Sequence, residues 1–149
     1  MVNSRQKGAS FERKICEIFT KHTGKKFNRT PGSGAFSTQT GDKRLAGDIY
    51  CIDAEFPWVI ECKKYKDYDL EDIVKGKSTG ILAWLSQLEA YCEKVGKPGM
   101  LIISKNYGKP LLFVQSVRKF PDFLHYKNYT IGFLSDLLPL LLKSAKKRP

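Results

Sequence analysis

The chain has 149 residues, 42% of them hydrophobic, with 26 lysines and arginines against 15 acids, a formal charge of +11. That length implies one domain, residues 1–149, with room for a real core, and the hydrophobic fraction excludes a disordered chain. The charge exceeds what a small domain needs for solubility and favours a polyanion, either nucleic acid or an anionic membrane surface.

Ser4 to Thr23 reads as the first helix. Phe11, Ile15, Ile18, Phe19 and His22 recur at spacings of three and four, and Gly24 closes the pattern. Glu12 lies just off this stripe and is either a solvated helix acid or one that reaches a site beside the core. Arg5, Lys7, Arg13 and Lys14 give the helix a basic flank. Lys25 to Ala46 has no hydrophobic pattern and reads as an irregular, functional or mobile loop. Within it Arg29 and Ser33 can meet phosphates, and Lys43 and Arg44 add charge just before Asp48.

The next stretch, Gly47 to Lys63, organises the chain. Two short runs of β-branched and aromatic residues flank the polar break Asp53 to Phe56, with Pro57 after it, which is a hairpin signal. Pairing about the midpoint of the break sets Asp48 opposite Glu61. Alternation puts Glu61 and Lys63 on one face with Val59, and sends Ile60 and Cys62 to a core. Two facing acids suppress each other's ionisation unless a cation lies between them. Carboxylates and a backbone carbonyl, that of Cys62, are hard oxygen ligands suited to magnesium, with manganese as a substitute. Lys63 beside such a metal can hold an attacking water and offset phosphate charge. The bland reading is a solvated hairpin, and Asp42 rivals Asp48 as the acid ligand.

Tyr65 to Lys77 is strongly charged and reads as a loop or short helix. Ser78 or Thr79 starts a second long helix, with Ile81, Leu82, Leu85, Leu88, Cys92 and Val95 on one face, Gln87 beside it and Gly96 at its end. Met100 to Ser104 is a continuous apolar run fit for a buried strand. A turn over Asn106 to Pro110 leads to a strand, Leu111 to Gln115. Tyr129 to Phe133 reads as a short last strand. Ser135 caps a final helix through Ala145, with Pro139 near its start, and residues 143–149 form a basic tail. The longest apolar run, Leu137 to Leu142, is far too short to span a bilayer, and the polar opening is no signal peptide, so a cytoplasmic protein is expected. Cys16, Cys51, Cys62 and Cys92 sit among apolar neighbours without zinc-type spacing and read as reduced core thiols.

In this order the motifs resemble the PD-(D/E)XK nuclease superfamily, and within it the archaeal-type Holliday junction resolvases. Arg5-Gln6-Lys7-Gly8-Ala9-Ser10-Phe11-Glu12-Arg13 is similar to that family's opening helix. Arg29 with Gly32-Ser33 resembles its arginine and glycine-serine. Gly47-Asp48-Ile49 stands for the Asp motif and Ile60-Glu61-Cys62-Lys63 for the (D/E)-x-K motif. Gln87 resembles a glutamine common in the superfamily. The resemblance spans residues 5 to about 104 and departs from the pattern at Ala46-Gly47, where the proline of the name is missing.

The resemblance implies an α/β fold: a restriction-endonuclease-like, mixed central sheet flanked by helices. It implies that Asp48 and Glu61 bind metal, that Lys63 assists the water and that Glu12 supports the metal site, directly or through water. It also implies that Arg13, Arg29 and Ser33 touch DNA. The expected activity is magnesium-dependent cutting of four-way junctions by paired nicks from a homodimer. The alternatives are a restriction- or repair-type endonuclease on linear, flapped or damaged DNA, and a binding module without catalysis. A membrane binder needs a basic helix with exposed aromatics, and the first helix directs its aromatics to a core.

Overall fold

A computed structural model describes residues 4–31, 45–65, 69–75, 79–105, 108–116, 118 and 120–146. Its elements in order are α1 (Ser4–Thr23), β1 (Phe27–Arg29), β2 (Ile49–Cys51), β3 (Val59–Tyr65), α2 (Leu70–Val74), α3 (Thr79–Val95), β4 (Gly99–Lys105), β5 (Leu111–Gln115), β6 (Leu124–Tyr126), β7 (Tyr129–Phe133) and α4 (Leu134–Lys146). The strands form one seven-stranded sheet in the order β1-β2-β3-β4-β5-β7-β6. Only β3 and β4 run parallel; every other neighbouring pair is antiparallel. The α/β class with a mixed sheet is therefore as the sequence implies.

Strand alternation explains how the sheet divides two cores. In β4, Met100 and Ile102 point to one side, Leu101 and Ile103 to the other; in β5, Leu112 and Val114 oppose Leu111 and Phe113. Both strands are buried on both faces, which is why they read as unbroken apolar runs. On the first face Phe11, Ile15, Cys16 and Phe19 of α1 pack with Leu134, Leu137, Leu138 and Leu141 of α4. On the second face Ile81, Leu85, Leu88 and Cys92 of α3 cover Val59, Leu101, Ile103 and Phe113. Helix α3 also supplies the crossover that parallel β3 and β4 require. Its end and that of α1 turn on Gly96 and Gly24, both at φ +73°.

Several expectations change. The stretch expected to be irregular contains β1, which pairs along Phe27–Arg29 with β2. Strand β6 was not anticipated either; it pairs with β7 at the sheet edge. Three residues are too few to display an alternation. His22 does not continue the apolar face of α1: it is exposed, and Cys16 joins the face instead. Ser135 is not the cap of α4, because the helix begins at Leu134, whose N–H donates to the Pro110 carbonyl at 3.0 Å. The apolar stretches that could pair two copies divide: Leu111 to Val114 and Leu137, Leu138 and Leu141 of the last helix are core, whereas Leu140 is 40% exposed. Ser33, Asp42, Lys43 and Arg44 lie outside the described residues.

All four cysteines are buried and free. Burial, ahead of the Glu12 charge, pushes the Cys16 thiol up to about 11, and burial pushes Cys92 up to about 12. Such thiols are inert packing groups. Phe11 and Phe19 are 5% and 0% exposed, so α1 lacks the exposed aromatic face that a membrane-binding helix needs. No helix among the described residues is long and apolar enough to cross a membrane.

Phe113 is fully buried at the centre of the sheet. Phe113→Ala is expected to lower unfolding free energy by about 3–5 kcal/mol, measured by urea denaturation.

Candidate active site

The site forms where β2 meets β3. Ile49 pairs with Ile60, which is the register obtained from the midpoint of the hairpin break. Both isoleucines pack into the core under α1, alternation turns Glu61 to the opposite side of β3, and Asp48 sits at the junction of β2 and β3. Asp48 is locked to β3 twice. Its backbone N–H donates to the Ile60 carbonyl at 2.8 Å, and its Oδ2 accepts from the Cys62 N–H at 2.8 Å. Its carbonyl accepts from the Thr30 N–H at 2.9 Å. Asp48 thus joins β3 to the chain leaving β1.

Gly47 makes this lock possible. Its φ is +88°, and a Cβ there would lie 2.5 Å from the Ile60 carbonyl oxygen. Proline, fixed near φ −65°, cannot adopt that backbone, which accounts for its absence before Asp48.

The Asp48 carboxylate lies near enough to Glu61 for its charge to weigh on that carboxyl. Burial first, and the Asp48 charge next, raise Glu61 well above the ordinary carboxylate range. Lys63, half-buried on the same strand, pulls the other way. Glu12 approaches from α1. Burial and then Asp48 raise its pKa; its hydrogen bond from Arg29, and the charges of Arg29 and Lys63, oppose the rise. The Arg29 Nε lies 3.2 Å from Glu12 Oε1, with side chains 40% and 18% exposed. Glu12 is thus not a solvated helix acid.

The donor set fits a hard divalent cation. A positive ion beside Asp48 and Glu61 would offset the burial and like charge that penalise the charged Glu61. Cys62 presents its N–H to Asp48, and in a strand the carbonyl of a residue lies on the same edge as its N–H, so that carbonyl also faces the site. Among the described residues no group of three or more His, Cys, Asp and Glu side chains could hold a metal alone. Asp48, Glu61 and the Cys62 carbonyl would therefore share a cation with water or phosphate, the usual arrangement for magnesium.

The proposed nucleic-acid contacts are more scattered. Lys7 and Arg13 are exposed on α1, and Arg5 lies in its first turns. Arg29 is held by Glu12. Gln87 is exposed on α3. Two contributors escaped the sequence reading. Gly47 shows only as a motif mismatch there, and the partnership of Arg29 with Glu12 requires β1. Thr30, 8% exposed, places a buried hydroxyl without a hydrogen-bond partner among the described residues.

Two outcomes follow from this geometry. Gly47→Ala forces a side chain into positive φ and against β3, so it should destabilise the chain by about 1–3 kcal/mol in urea unfolding and depress any activity of the site. Glu61, raised on folding, contributes stability that is complete below its ordinary value of 4.5 and is lost as pH rises toward its folded value. In chelator, the melting temperature should therefore fall with rising pH above that value. Glu61→Gln should flatten the fall, and magnesium should offset it.

A family profile described as "Phage putative PDDEXK endonuclease" matches residues 3–134. The chain is similar to Protein D14 of Escherichia phage T5, 30% identical over 141 residues, covering 91% of this chain and 86% of that protein. No solved structure matches the chain significantly. With its acid pair and lysine set on this sheet, the chain belongs to the phage PDDEXK endonuclease family.

Proposed function

We propose that the chain is a magnesium-dependent DNA endonuclease selective for branched structure, cutting four-way junctions by paired nicks as a homodimer. The observation that carries the hydrolytic part is the Asp48–Glu61 carboxyl pair with Lys63 on the same strand, in a chain of net charge +11. A bound divalent ion would supply charge stabilisation to the phosphoryl group and a more acidic water. Asp48 and Glu61 hold the ion, and the Cys62 carbonyl completes the protein's share. Lys63 holds the attacking water or offsets developing phosphate charge. Glu12 supports the ion, directly or through water. Arg5, Lys7 and Arg13 on α1, with Ser33, Lys43, Arg44 and Gln87, bind the DNA, mostly through phosphates that carry position rather than sequence.

Junction preference rests on the likeness of Lys7-Gly8-Ala9-Ser10-Phe11-Glu12-Arg13 to the opening helix of resolvases. One small domain with one site makes two symmetric cuts only as a two-fold pair. A single-nicking endonuclease on linear, flapped or damaged DNA is the competing reading. It is favoured by one observation: Leu111 to Val114 and most leucines of α4 are core, with Leu140 of that helix exposed.

The test is cleavage of a fixed junction, a flap and a linear duplex of the same sequence in magnesium, with sedimentation for the oligomer. Preferential, paired nicking of the junction by a dimer is expected. A monomer that cuts all three equally leaves the general endonuclease. Asp48→Asn, Glu61→Gln and Lys63→Ala should each slow cutting by roughly a hundredfold or more while DNA affinity stays near wild type. If about six phosphates are neutralised, log affinity against log salt should have a slope of about −5.

A further inference from the structure

Arg29 looks like a phosphate ligand in the sequence, but its surroundings give it another task. Phe27 packs into the core under α1, and Arg29, two residues on, points to the same side. There its Nε meets Glu12 Oε1 at 3.2 Å. Arg29 pairs with Ile49 across the β1–β2 ladder, and the next residue, Thr30, donates its N–H to the Asp48 carbonyl at 2.9 Å. The guanidinium is thus anchored to the same backbone that carries Asp48. Glu12 arrives from a separate element, α1. Without a cation at its carboxylate it would stand half-buried in the repulsive field of Asp48. Withdrawing Arg29 to a phosphate would leave that carboxylate without this neutralising partner.

We infer that Arg29 is a positioning residue: it fixes the Glu12 carboxylate at the Asp48–Glu61 pair and acts on the reaction through Glu12, not through DNA. This rests on the endonuclease reading of the site. The link is a charge-assisted bond from a planar guanidinium, so it sets direction as well as charge. Support of this kind typically governs metal affinity or rate by 10–100-fold.

The experiment is a double-mutant cycle on the full chain with Glu12→Gln and Arg29→Ala. Three quantities are read: single-turnover cleavage at saturating junction DNA in magnesium, DNA affinity across a salt series in chelator, and calorimetric manganese binding to the free protein. Arg29→Ala is expected to slow cleavage and weaken manganese binding by about 10–100-fold each, with DNA affinity and salt slope unchanged. In the Glu12→Gln background it should cost nothing further, because Arg29 has then lost the group it acts on. Arg29→Lys, which keeps a cation opposite Glu12, should recover part of both losses.

The inference is overturned if Arg29→Ala leaves saturating cleavage and manganese binding intact but weakens DNA binding and makes the salt slope shallower by about one unit. It is equally overturned if the two substitutions multiply in full. If Arg29→Ala does not fold cooperatively, Arg29→Gln takes its place in the same cycle with the same outcomes. A wild-type chain that cuts nothing overturns the endonuclease reading instead, and the manganese cycle still decides whether Arg29 acts through Glu12.

Discussion

Two carboxyls that repel each other are held together in a partly enclosed site, and most of the local structure exists to keep them there. Burial first, and the Asp48 charge next, penalise the charged form of Glu61, and a cation between the two carboxyls relieves both. An unconstrained hairpin would relieve the repulsion by slipping one residue, which turns a side chain to the other face. The ladder contact between Ile49 and Ile60 forbids that slip, because it would drive one of the two isoleucines out of the core under α1. Hydrophobic packing of the two strands thereby fixes the electrostatic arrangement beside it. Two backbone hydrogen bonds, joining Asp48 to Ile60 and Thr30, and one from the Cys62 N–H to the Asp48 carboxylate finish the work locally.

The charges around the pair follow from the same constraint. Lys63 shares a strand with Glu61, and Arg29 meets Glu12, so each added acid has a cation at hand. The chain's large basic excess lies mostly elsewhere, on exposed residues such as Lys7 and Arg13. Charge near the acids organises chemistry, whereas charge on the surface attracts a polyanion. These are separable physical jobs, one short-ranged and partly dehydrated, the other screened by salt.

Much of this was legible before any coordinates, for identifiable reasons. Helix α1 runs over Ser4–Thr23 as its apolar period indicates, and β5 and β7 keep their expected bounds, because each carries a long enough hydrophobic signal. The hairpin register came from the symmetry of its polar break. What the sequence hid was carried by short or indirect signals. Strand β1 offers only Phe27 as an apolar marker. Glu12 and Arg29 are 17 residues apart, and nothing in their spacing announces a contact that depends on β1 pairing with β2. His22 obeys the helical period but sits in the last turn of α1, where its side chain is exposed.

Gly47 shows why a motif is better read as geometry than as letters. The superfamily takes its name from a proline before the aspartate, and this chain lacks it. Proline at Gly47 would demand negative φ and could not sit at +88°. The glycine instead lets the backbone close on β3 within a distance that even a methyl group would violate. That approach brings the Asp48 N–H to the Ile60 carbonyl and its carboxylate to the Cys62 N–H. The aspartate is therefore held by backbone contacts that no side chain at the preceding position provides. Substituting the letter that a motif expects would undo the arrangement that the motif stands for.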